Sequence, residues 1–226
     1  MESIFERHEL KFMLNGEQYE AVKEAVDANM DKDPNGEYIV QNLYYDTDNW
    51  DVIRHSIERP VFKEKLRLRC YGVPENDSDL FLEIKKKHKG VVYKRRIQFP
   101  METFSNTNVR DIVKDNPSQI GRELNFYLDS HPVRARVFVS YHRAAFVGAD
   151  GLRVTFDTNS RFRKDALYLN DPELGEEIFP QDMVLMELKT SKSIPLWMVN
   201  VLSDKKICPT SFSKYGTGYK KYILGA

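Results

Sequence analysis

Apolar and polar residues alternate most regularly between residues 63 and 99. Three runs, 63–71, 80–87 and 91–99, each read as a β-strand, because successive side chains of a strand point to opposite faces. In the first, Leu66, Leu68 and Cys70 share one parity, and Lys63, Lys65, Arg67 and Arg69 share the other. In the second, Leu80, Leu82 and Ile84 alternate with Phe81, Glu83, Lys85 and Lys87. In the third, Tyr93, Ile97 and Phe99 alternate with Lys94, Arg96 and Gln98, with Arg95 as the exception. One face of this three-stranded unit is apolar and the other is mostly cationic.

The rest of the chain supplies further strands of the same kind, with helices between them. Residues 5–14 set Leu10, Phe12 and Leu14 against Arg7, Glu9 and Lys11. Asn15 and Gln18 have the spacing of a capping box, and Tyr19, Val22, Val26 and Met30 follow at helical spacing. Asp33-Pro34-Asn35-Gly36 predicts a turn. A strand is expected over 38–46, ending in Tyr44-Tyr45-Asp46-Thr47, then a short turn or helix over 48–57. Residues 101–130 read as helical in two pieces broken near Asn116-Pro117, the second carrying Ile120, Leu124, Tyr127 and Leu128. Residues 134–146 form a strand or a bent pair, and 148–151 a tight turn. Residues 152–157 set Leu152, Val154 and Phe156 against Arg153, Thr155 and Asp157. A polar loop is expected over 158–182. A strand follows over 183–189, with Val184, Met186 and Leu188 opposed to Glu187 and Lys189. Ser193 and Pro195 open a helix running to about 203, and 211–218 read as a polar, glycine-containing loop.

Eight or more strands, several of them charged on one face, suit an α+β fold. An antiparallel β-barrel with a charged interior removes the sheet edges, and amphipathic helices cover its apolar outside. At 226 residues one domain, 1–226, is expected.

Charge sharpens this picture. Lys plus Arg and Asp plus Glu are both 34, so the net charge is zero. A non-specific nucleic-acid binder is usually basic overall, so no nucleic-acid partner is expected. A solvated outer face would carry mixed signs, because like charges opposite each other across strands repel. Lys65, Arg67, Arg69, Lys85, Lys87, Lys94 and Arg96 are instead of one sign, which suits a polyanion. The two cysteines, Cys70 and Cys208, make no disulfide framework or metal spacing. No signal peptide and no transmembrane segment is read, so a cytoplasmic protein is expected.

Candidate chemistry lies in the carboxylates among those cations. No P-loop, nucleophile elbow, zinc spacing or dinucleotide fingerprint is present. Glu9, Glu83, Asp157 and Glu187 lie on the charged faces. Each alone reads as an ion-pair partner. Together they are the oxygen ligands that Mg2+ or Mn2+ uses beside substrate phosphates, which points to phosphoryl chemistry.

Seven short motifs then occur in order: Glu9-Leu10-Lys11, Lys65-Leu66-Arg67-Leu68-Arg69, Glu83-Ile84-Lys85, Lys94-Arg95-Arg96, Ser140-Tyr141-His142-Arg143, Glu187-Leu188-Lys189 and Phe212-Ser213-Lys214-Tyr215. In these, from Glu6 to about Tyr222, the chain resembles the catalytic domain of the vacuolar transporter chaperone (VTC) polyphosphate polymerases. That domain belongs to the CYTH-like triphosphate tunnel metalloenzymes. The resemblance implies an eight-stranded antiparallel β-barrel, a triphosphate tunnel with helices packed outside. It implies an enzyme that transfers the γ-phosphate of ATP to a growing polyphosphate chain, with Mn2+ or Mg2+ as cofactor. Lys11, Arg67, Arg69, Lys85, Arg143 and Lys189 would form the catalytic set. Lys65, Lys94, Arg96, Tyr141, Arg153, Ser213 and Lys214 would bind substrate. Glu187 would hold the metal, with Glu9 and Asp157 as further carboxylates. Eukaryotic members carry a basic residue where Ser211 stands here. Two alternatives stay open: a tripolyphosphate or nucleoside triphosphate hydrolase of the same fold, and a non-catalytic polyphosphate-binding module.

Overall fold

The computed structural model describes residues 8–89, 91–114 and 116–225. The expected first strand therefore has its residues 5–7 outside the described residues, and starts as β1 at His8–Leu14. Asn15 opens α1 (Gly16–Asn29) with the reciprocal capping box that its spacing predicts, and Val22 and Val26 are buried. The elements that follow are β2 (Asp31–Asp46), α2 (Asp51–Ile57), β3 (Phe62–Tyr71), β4 (Asp79–His88) and β5 (Val91–Pro100). Next come α3 (Met101–Asn106), α4 (Val109–Lys114), α5 (Gln119–Ser130), β6 (Arg134–Val147), β7 (Arg153–Arg163) and the two-residue β8 (Glu176–Glu177). β9 (Val184–Thr190), α6 (Leu196–Asp204) and α7 (Lys214–Tyr219) close the chain, with a π-helical turn over Lys220–Leu224.

Among the described residues the strands form one sheet in the order β1-β9-β7-β6-β2-β3-β4-β5, with β8 paired to β7. All the registers recorded between strands are antiparallel. This is an α+β fold with a large antiparallel sheet, and hydrogen bonds do not close the sheet, since β1 and β5 end its order.

The chain divides into two compact units. The first holds residues up to 38, 141–160 and 177–213. Its core is Phe12, Leu14, Val22, Val26, Phe146, Val154, Phe156, Met186, Leu188 and Met198, with Tyr19 edge-on to Phe156 at 5.2 Å. The second holds residues 39–140, 161–176 and 214 onward. Its core is the apolar face anticipated for β3, β4 and β5 (Leu66, Leu68, Cys70, Leu80, Leu82, Ile84, Ile97 and Phe99), covered by Val109, Val113, Leu124, Tyr127 and Leu128. Cys70 is a buried thiol, and burial pushes its pKa up to about 12.

Four local expectations are corrected. Residues 33–36 are not a turn ahead of the strand but part of it. The Asp33 carboxylate accepts the Asn35 N–H at 3.0 Å, Gly36 takes φ +63°, and the irregularity is absorbed inside β2. Residues 101–130 make three helices, because Thr107 is extended and a second break precedes the Ser118 cap of α5. Residues 134–147 are one strand, the first of the two readings open for that segment. The expected loop over 158–182 is strand as far as Arg163, because Ser160 and Phe162 are buried. Arg163 then organises the following loop, donating to the carbonyls of Ala166, Tyr168, Asp171 and Leu174 at 2.5–2.8 Å.

The fourth correction is the tail, where 214–219 is helix. Its glycines serve packing: Tyr215, Gly216, Gly218 and Tyr219 are all buried. A Cβ on Gly218 would lie 2.1 Å from Cδ2 of the buried Phe162 ring. Gly218→Ala should therefore cost about 1–3 kcal/mol through overpacking. Denaturant unfolding measures it, and an unchanged midpoint would remove Gly218 from this role.

Candidate active site

In the second unit the charged face of β3, β4 and β5 is built as rows across the strands. Tyr44, Arg67, Glu83 and Arg96 face one another in register. Two residues along, Lys65, Lys85 and Lys94 form the next row, and beyond it Lys63 faces Lys87. On the other side Asn42, Arg69, Phe81 and Gln98 align.

Glu83 sits at the centre of this face and is fully buried. Arg67 donates to its Oε2 through Nε and Nη2, both at 2.8 Å. Lys94 Nζ lies 2.5 Å from Oε1, and Arg69 and Arg96 lie at 4.0 Å. Burial alone would raise the Glu83 pKa, but the charges of Arg67, Arg69 and Lys94 outweigh it and hold the pKa at about 2. Burial also lowers Lys94, and the nearby arginines add to this against the pull of Glu83, leaving it at about 8. Arg69 is fixed from its other side, its Nε donating to Asn42 Oδ1 at 2.9 Å, while Asn42 Nδ2 bonds the Val139 carbonyl at 3.1 Å.

Tyr44 belongs to this site although sequence reasoning placed it only at a strand end. Arg67 Nη1 reaches its hydroxyl at 3.3 Å. Burial would raise its phenol, but Arg67 and Arg69 pull it down to about 8. The Tyr44 ring stacks on Tyr215 at 4.7 Å, and Tyr215 donates to Asp46 at 2.6 Å. Asp46 in turn accepts the N–H groups of Val52 and Ile53 at the start of α2. Lys65 Nζ lies 5.6 Å from the Tyr215 ring. Lys214, the first residue of α7, directly precedes Tyr215. The available signal was parity: Asn42 and Tyr44 lie two residues apart, like Arg69 and Arg67.

The first unit carries a second charged cluster. Register aligns Glu9 with Lys189 and Arg153, and Lys11 with Glu187 and Thr155. Glu187 is reached by Lys189 at 3.1 Å and by Lys11 and Arg143 at 3.4 Å. Glu9 lies 3.6 Å from Lys11 and 3.8 Å from Lys189. Arg143 makes a two-pronged bond to the fully buried Asp157, at 2.6 and 2.7 Å, and lies 5.1 Å from the centre of the Tyr141 ring. The segment before α7 is tied to β1: Lys11 Nζ donates to the Phe212 carbonyl at 3.2 Å, and the Thr210 N–H to the Lys11 carbonyl at 2.7 Å. Ser213 follows directly. Arg153 instead turns to Asp33 at 3.1 Å and Tyr38 at 3.4 Å.

The structure thus gathers Lys11, Arg143, Lys189, Glu9, Asp157 and Glu187 in one unit, and Lys65, Arg67, Arg69, Lys85, Lys94 and Arg96 in the other. A family model described as the VTC domain matches residues 6–223. The chain belongs to the VTC domain family. No curated protein gives a significant match. Among solved structures, a protein from Pyrococcus horikoshii OT3 is 14% identical over 88% of this chain and 86% of its own, with a TM-score of 0.44. A putative adenylate cyclase from Vibrio parahaemolyticus is 12% identical over 97% and 98%, with a TM-score of 0.46. An inorganic triphosphatase is 14% identical over 84% and 82%, with a TM-score of 0.30. These likenesses are too distant to carry a role onto any residue of this VTC domain.

The carboxylates differ in their fitness to hold a metal. Among the described residues no three His, Cys, Asp or Glu side chains converge as a ligand set. Mg2+, however, takes only one or two carboxylates when phosphates and water complete its shell. Glu187 and Glu9, which share Lys11 and Lys189, fit that pattern. Asp157, with both oxygens held by Arg143, does not; its geometry fixes Arg143.

The low pKa of Glu83 makes stability of this VTC domain depend on acid. Its folded value lies below the ordinary value of 4.5, so its contribution is present above pH 4.5 and lost as pH falls towards 2. The amount is on the order of 3 kcal/mol. Denaturant unfolding between pH 6 and pH 2 should show this loss, and Glu83→Gln should be destabilised at pH 6 with a flatter acid dependence. An identical acid profile in the two proteins would exclude Glu83 as the titrating group.

Proposed function

We propose that this VTC domain is a cytoplasmic, ATP-dependent polyphosphate polymerase, which transfers the γ-phosphate of ATP to the end of a polyphosphate chain and releases ADP. The observation that carries this reading is the length of the cationic face. From Arg69 to Lys63 the strand advances six residues, about 20 Å at the rise of a β-strand. The Lys65–Lys85–Lys94 and Lys63–Lys87 rows bring like charges together across strands. Such rows repel unless an extended polyanion lies over them. A triphosphate covers only a fraction of that distance, whereas a polyphosphate chain covers all of it. With this reading go one working domain over 1–226 and the closed triphosphate tunnel of the family resemblance.

In this reading Lys65, Lys85, Lys94 and Arg96 grip the polyphosphate. Arg67 and Arg69, pre-oriented by Glu83 and Asn42, present fixed donors to phosphate oxygens. Arg143, fixed by Asp157, and Lys11 and Lys189 neutralise charge that develops on the transferred group. Tyr141, Arg153, Ser213 and Lys214 complete the substrate contacts. Glu187 and Glu9 would hold Mn2+ or Mg2+, which when bound would supply positive charge to offset that of the substrate phosphates.

Incubation with ATP and Mn2+ or Mg2+ should yield ADP and long-chain polyphosphate. ADP with only orthophosphate would make the protein a hydrolase, and no turnover would make it a binding module. Lys85→Ala should weaken long-chain polyphosphate binding by about 1–2 kcal/mol in calorimetry.

The carboxylates separate by their response to metal. Glu187→Gln should raise the metal concentration needed for half-maximal turnover while leaving metal-free triphosphate binding in place. Asp157→Asn should instead lower stability by about 3 kcal/mol, because it uncouples a buried charge pair. If Asp157→Asn shifts the metal requirement and Glu187→Gln does not, the two roles are reversed.

A further inference from the structure

The hairpin between β4 and β5 runs past the hydrophobic core of its unit. The last buried core residue on β4 is Ile84, and the first on β5 is Ile97. Beyond them lie Phe62 and Tyr93, each 45% exposed, Val92 at 44% and Val61 at 64%. By register Phe62, Lys86 and Tyr93 share the parity of the apolar face, and Lys87 and Val92 that of the cationic face. Phe62 faces His88, which faces Val91; Lys87 faces Val92; Lys86 faces Tyr93. The Lys89 N–H bonds the Val61 carbonyl at 3.0 Å. Residues 84–101 carry seven Lys and Arg and no Asp or Glu. The nearby carboxylates are Glu64, opposite Lys86 in register, and Glu123 of α5, 3.8 Å from Lys86.

A strand tip built only for solubility would keep the lysines and omit Phe62, Val92 and Tyr93. The core of a protein interface would keep the aromatics and be depleted in lysine. The surface of an anionic bilayer suits both. Its headgroup region takes tyrosine and short apolar side chains, and its acidic lipids neutralise lysines. We infer that this hairpin tip docks on an anionic lipid membrane, with Phe62 and Tyr93 entering the headgroup layer and Lys86 and Lys89 against acidic headgroups. This inference does not depend on the reaction proposed above.

The test is co-sedimentation with vesicles, either pure phosphatidylcholine or phosphatidylcholine with phosphatidylserine at three to one. Wild type should bind the mixed vesicles and not the pure ones, and lose binding as salt rises from about 50 to about 500 mM. The double variant Phe62→Ser/Tyr93→Ser, and separately Lys89→Glu, should each lower the bound fraction about fivefold or more. All three positions are exposed and lie outside the phosphate-gripping set, so both variants should keep the wild-type Tm and tripolyphosphate affinity. Equal binding to both vesicle types, or none, would overturn the inference. So would mixed-vesicle binding that survives in both variants, since the phosphate-gripping cations would then be responsible. Concentration-dependent self-association of wild type that the variants lose, without vesicle binding, would make the tip a protein interface instead.

Discussion

A single buried carboxylate, Glu83, makes the cationic face of the second unit possible. Without it, Arg67, Arg69, Lys94 and Arg96 would meet on adjacent strands with nothing to offset their repulsion. Its location in a half-apolar sheet is costly, since burial penalises its charged form. Three cations close by reverse the balance, and the carboxylate stays ionised. The exchange runs both ways: Glu83 gives Arg67 a fixed orientation, so its guanidinium needs little further ordering to meet a ligand.

The first unit solves the same problem with a different geometry. There the arginine is the buried centre and the acids surround it. Asp157 accepts from Arg143 Nε and Nη2, and Glu187 lies 3.4 Å from the same Nη2. A buried pair of this kind is weak evidence of stability but strong evidence of orientation. The lysines of this unit are shared between Glu9 and Glu187, a looser arrangement that leaves room for another ligand to compete.

Much of this was legible in the chain. Alternation located β3, β4 and β5 to within a residue or two, because the charged and apolar parities there are almost pure. The capping box at Asn15 and Gln18 was readable from spacing alone. The failures lie where polar residues are buried. Ser160 sits inside β7, and the Asp33–Asn35 contact sits inside β2, so polarity alone ends β7 early and starts β2 late. The tail looked like a loop because glycine is a poor helix former. Gly218 is there to admit Phe162, a contact between residues more than fifty positions apart. In the site, the cations were found by sign, while Tyr44 and Asn42 escaped because neither is charged. Motif order then carried the family, which no single pair of residues specified.

Lys94 has a further consequence. With a pKa near 8, it lies within reach of the ambient proton concentration, unlike an ordinary lysine. A minor but finite share of molecules therefore carries it neutral at rest. An arriving polyanion would favour the ammonium form and draw a proton from solution. The face then becomes more positive at the moment it is occupied. The heat of association would then depend on the buffer that supplies the proton.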